Sequence, residues 1–84
     1  MKGVKNRPSV TPGGLKVVSI YYAQNHNKYF AIAKQGRGMS HSTYVIETLK
    51  KNGQFAKRQV SELWNTLCDS QGDAKDRLRQ WDLR

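Results

Sequence analysis

The alternation of apolar and polar positions changes rhythm along this chain. Residues 15–23, LKVVSIYYA, and 29–34, YFAIAK, are dense in Val, Ile and Tyr and flank the polar run QNHNK. That pattern predicts two β-strands joined by a short Asn-rich turn. In the first strand Leu15, Val17, Ser19, Tyr21 and Ala23 share one face, and Lys16, Val18, Ile20, Tyr22 and Gln24 share the other. Neither face is cleanly polar, and an isolated hairpin is marginal in water, so the pair is expected to dock on helices.

From Ala56 the rhythm becomes helical. Ala56, Val60, Leu63, Trp64 and Leu67 form one stripe, and Ala74, Leu78 and Trp81 form a second after the breaker CDSQGD. Asp73 is the expected cap of the last helix, with Asp76 three residues on. Ahead of both, Ser42 or Thr43 can cap a helix through YVIETLKKN that turns Val45, Ile46 and Leu49 inward and stops at Gly53. The expected fold class is α+β, with an N-terminal β-hairpin packed on a three-helix, helix-turn-helix-like core. Residues 1–14, with three basic residues, two prolines and three glycines, read as a flexible basic arm ahead of a single domain over 15–84. QGRGMSHS, residues 35–42, reads as a connector.

Charge adds the functional dimension. The chain has 84 residues and a formal net charge of +9, which predicts association with a polyanion. Lys2, Lys5, Arg7, Lys16, Lys28, Lys34 and Arg37 all precede Glu47, the first acid, whereas eight basic residues and six acids share the remainder. The positive field therefore comes from the arm and the ribbon, and the helical stripes come from the other half.

Candidate chemistry is sparse. His26, His41 and Cys68 occur one per segment, without the Cys-x-x-Cys or His-x-x-x-His spacing of a metal site. Asp69, Asp73 and Asp76 are accounted for as caps and as ion pairs with neighbouring Lys75, Arg77 and Arg79. The GRG around Arg37 lacks the GK[ST] ending of a P-loop. No catalytic residue, metal or cofactor is expected, and the chain does not read as an enzyme. With no run approaching a membrane span, no apolar core behind the basic N-terminus and a single cysteine, a cytoplasmic protein is expected.

YVIETLKKNGQF, AKRQVSELWNTL and DAKDRLRQWDL, spanning residues 44–83, resemble the three-helix core of winged helix-turn-helix DNA-binding domains. The likeness lies in an N-G-x-Φ corner, a V-S-x-L element and an R-L-R element. It implies a third helix that enters the major groove through Lys75, Arg77, Arg79 and Gln80, and a role in transcription regulation. The combined expectation is a nucleic-acid-binding protein, duplex DNA first, held on phosphates by the basic residues of the arm and ribbon with Lys75, Arg77 and Arg79 adding contacts. RNA is second, with Tyr21, Tyr22, Tyr29 and Phe30 as stacking surfaces. An acidic surface of a larger nucleic-acid-processing machine is the alternative partner, since it requires the same field.

Overall fold

The computed structural model describes residues 7–35, 43–60, 62–63 and 67–84. Strands β1 (Lys16–Ala23), β2 (Lys28–Lys34) and β3 (Tyr44–Leu49) form an antiparallel sheet in the order β1-β2-β3, and one helix, α1 (Gln71–Asp82), follows. The hairpin expected from the β-rich runs is β1–β2. Its turn is closed by Asn27 at φ 53°, a left-handed conformation that Asn tolerates better than most residues.

The expected three-helix core does not form among the described residues, and the fold implied by the winged-helix resemblance is replaced by a three-stranded sheet with one C-terminal helix. YVIETL is a strand. Its Tyr, Val, Ile and Thr suit a pleated surface, and pairing with β2 places Ile46 opposite Ile32 and Thr48 opposite Phe30. Of the Ala56–Leu67 stripe, Leu63 is buried, Ala56 and Val60 are half-buried and Leu67 is exposed, none of them in a helix, while Trp64 lies outside the described residues. Thr48 holds that segment on β3: its hydroxyl accepts the Val60 N–H at 3.2 Å, and its own N–H donates to Gln59 Oε1 at 2.8 Å. Val60 and Leu63 thereby reach the core, while Phe55 pairs with Leu49 in an isolated bridge. Gly53 does take a left-handed φ of 88°, but in the tight turn after β3 rather than at a helix end.

Among the described residues only the last stripe is helical. Ser70, not Asp73, is the N-cap; its Oγ accepts the Asp73 N–H at 3.1 Å, and Asp73 Oδ2 accepts the Asp69 N–H at 3.2 Å. Ala74, Leu78 and Trp81 then pack on one face of the sheet with Phe30, Ile32, Ile46 and Cys68. A register shift between Val17 and Ser19 interrupts the simple alternation of β1. Val18 consequently joins the helix-side core, and Val17 sides with Ile20, Tyr29, Ala31 and Leu49 on the opposite face.

Both sheet edges are partly occupied. Tyr44 and Cys68 exchange backbone hydrogen bonds at 2.9 Å beside β3. Beside β1, Val10 bridges Lys16, and the Val17 N–H donates to the Ser9 carbonyl at 2.9 Å. Residues 9–14 of the stretch expected as an arm therefore turn back onto the sheet. No helix of the described residues is long and apolar enough to cross a membrane.

Candidate nucleic-acid interface

The antiparallel register gathers three chain segments at one end of the sheet. Tyr29 lies opposite Leu49, so the first residue of β2, Lys28, stands beside the residues that leave β3, Lys50 and Lys51. The turn after β3 is closed by the Lys50 N–H donating to the Gln54 carbonyl at 2.8 Å and the Gly53 N–H donating to the Lys50 carbonyl at 3.0 Å. The chain then runs back past Ala56 and Arg58. Between these segments opens a cleft of about 460 Å³.

Its rim carries Lys28, Lys50, Lys51 and Arg58, all exposed, and among the described residues no carboxylate lines it. Its floor is Tyr29, Leu49, Ala56 and Val60. The uncharged polar groups on the wall are already engaged: Gln59 Nε2 donates to the Ala56 carbonyl at 3.1 Å, and its Oε1 holds the Thr48 amide. A ligand is thus met by cationic side chains above an apolar base. That arrangement suits an anion with an apolar or aromatic part.

Tyr22 extends the same end. Its ring lies 4.6 Å from that of Tyr29 at an interplanar angle of 32°, and its hydroxyl donates to Asn27 Oδ1 at 2.8 Å. Tyr22 is 38% exposed, whereas Tyr29 is 6% exposed. The other two expected stacking residues lie on the helix side: Phe30 is fully buried with its ring edge-on to Trp81 at 5.3 Å, and Tyr21 packs against the same core. Of the four aromatics, only Tyr22 offers substantial open surface.

The expected phosphate-binding residues divide between places. Lys16 and Lys34 face each other across β1 and β2 at the end of the sheet opposite the cleft. Arg7 is exposed two residues before Ser9, which is bonded to β1 near that end. On α1, Arg77 Nε lies 3.4 Å from Asp73 Oδ2 and Arg79 Nη2 lies 2.6 Å from Asp76 Oδ1, so both guanidinium groups already have carboxylate partners. Lys75 is exposed on the same helix. Lys2, Lys5 and Arg37 lie outside the described residues, as does His41. No group of three or more His, Cys, Asp or Glu side chains among the described residues is arranged to hold a metal ion.

Lys50, Lys51 and Arg58 are the rim residues that periodicity did not single out. Reading Lys50 and Lys51 as the last turn of a helix hid them. The local signal is the Asn52-Gly53 pair between apolar Leu49 and Phe55, a turn signature that ends a strand at Leu49 and leaves Lys50 and Lys51 in the turn. Comparison of the chain with protein families, with curated proteins and with solved structures found no match.

Proposed function

We propose that this protein is a non-catalytic binder of single-stranded nucleic acid, with the cleft as its main contact. The observation that carries the reading is the rim of Lys28, Lys50, Lys51 and Arg58, lined by no carboxylate among the described residues, beside the exposed ring of Tyr22. Cations that track phosphates, together with an aromatic face on which a base can lie, are the two components of single-strand recognition. Neutralising phosphates releases counterions, and this supplies affinity without any base reading.

A single strand is favoured over duplex DNA for a structural reason. Major-groove reading requires an element with free polar side chains that can enter the groove. Here α1 spends its apolar face on the sheet, and both Arg77 and Arg79 are paired with carboxylates. No helical corner stands beside it among the described residues.

The test is a competition titration. A labelled oligothymidylate is bound to the protein and displaced with unlabelled single-stranded DNA, single-stranded RNA of matching sequence, or duplex DNA. Displacement by either single strand at concentrations well below those needed for duplex supports the reading, and the two single-strand arms separate DNA from RNA. Preferential displacement by duplex contradicts it.

A further inference from the structure

We infer that the Lys16–Lys34 pair is a second phosphate anchor, and that one nucleic-acid strand is held simultaneously there and at the cleft. This rests on the cleft being a nucleic-acid site. Lys16 and Lys34 are direct cross-strand partners, both exposed, and neither has an ion-pair partner among the described residues. Like charges in direct opposition across a sheet repel. A phosphate bridging the two converts that repulsion into chelation. α1 begins at this end, and Asp73, the acid of its first turn, is already bonded to the Asp69 amide and to Arg77.

The two anchors are set apart by the sheet itself. Lys28 and Lys34 bound β2, and six residues of strand at about 3.3 Å each separate them by roughly 20 Å. At a stacked rise of about 3.4 Å per nucleotide, that straight span sets a minimum of about six nucleotides. By register Lys16, Lys28 and Lys34 lie on the helix side at the two ends of the sheet, where α1 occupies the middle. Among the described residues, the route left open between them is the outer edge of β1, a longer path than the straight span. Beyond Val17 that edge has no partner strand among the described residues, and it carries Tyr22.

Two anchors on one rigid sheet give a length threshold. A strand too short to span them binds one anchor at a time, whereas a longer strand gains the second contact at high effective concentration. The experiment is a fluorescence-anisotropy series with oligothymidylates from about three to about twelve nucleotides, a range around single-domain site sizes. It compares the wild-type chain with the Lys16→Gln/Lys34→Gln double variant. Wild type is expected to gain roughly tenfold or more in affinity in a step between about six and about twelve nucleotides, beyond the gradual rise from added binding registers. The variant should still bind the shortest strands through the cleft but lose the step, and Lys16→Arg/Lys34→Arg should restore it. A smooth rise identical in wild type and the Gln variant overturns the second anchor while leaving the cleft reading intact. No binding at any length overturns the cleft reading and the second anchor with it.

Discussion

Asp82 Oδ1 accepts the backbone N–H of Asn25 at 3.0 Å, tying the last turn of the helix to the turn between the first two strands. The same carboxylate oxygen lies 3.1 Å from His26 Nδ1, and the Asn25 side chain donates to the Asp82 carbonyl at 3.1 Å. His26 in turn stacks on Trp81, with ring centroids 4.2 Å apart. An acid at a helix C-terminus opposes the helix dipole. Here the position is held because the carboxylate satisfies a turn amide distant in sequence.

The first prediction follows from that contact. Asp82→Ala leaves the Asn25 N–H without its acceptor and should destabilise the fold by about 1–3 kcal/mol. The check is a urea denaturation curve. The midpoint should fall with little change in slope, and an unchanged midpoint would show that the turn and the helix are not energetically coupled through Asp82.

Thr48 organises the cleft wall. Its hydroxyl is the acceptor for the Val60 N–H, and Val60 is part of the cleft floor. Thr48→Val keeps the shape but removes the acceptor, so a loss of about 1–2 kcal/mol is expected. Amide hydrogen exchange should locate the change at Val60, where protection falls more than in β2.

Glu47 gives a pH prediction. It lies opposite Ala31 on the face away from the helix, and burial raises its carboxyl above the ordinary glutamate range. The folded state therefore binds this proton more tightly than the unfolded state. Glu47 contributes no penalty at pH below its unfolded value, and stability declines as pH rises from that value through the raised one. Glu47→Gln should remove that decline. Melting temperatures of the two proteins should diverge in favour of the variant from acidic toward neutral pH, and curves that stay parallel would contradict the assignment.

Tyr22 and Tyr29 separate binding from folding, although they are neighbours in space. Tyr22→Ala should weaken single-strand binding by roughly tenfold, the lower part of the 1–3 kcal/mol range for one stacked base, with a smaller loss of stability than Tyr29→Ala. Tyr29→Ala removes a buried ring and should destabilise the protein by about 3 kcal/mol or more. Binding and thermal unfolding measured on both variants distinguish the roles.

The β1–β2 hairpin and the last helix were legible in the sequence because local pattern and tertiary fate agree there. Ala74, Leu78 and Trp81 form one narrow stripe, and Val, Ile and Tyr dominate the strand runs. The segment 44–67 was not, because its apolar residues satisfy two periods at once. Val45, Ile46 and Leu49 fit a helical face, yet as a strand Tyr44–Leu49 gains pairing with β2, which has apolar residues buried on both faces. Similarly, Val60 and Leu63 reach the helix-side core, while Ala56 lines the cleft, so their helical spacing does not mark a helical face among the described residues. The cleft depended on this segment. Its lysines came into view once β3 set Lys50 beside Lys28, a juxtaposition created by sheet register and absent from any local window.

The most direct test of the account is the salt dependence of single-strand binding, measured with strands shorter than about six nucleotides so that the Lys16–Lys34 pair is not engaged together with the cleft, for the wild-type protein and for Lys50→Gln/Lys51→Gln. Each neutralised phosphate contributes about −0.7 to the slope of log affinity against log salt for single strands, so four rim cations predict a slope near −3. The double variant should bind more weakly and its slope should shrink to about −1.5. A variant slope equal to that of wild type, or a wild-type affinity that does not change with salt, would contradict phosphate binding at the cleft.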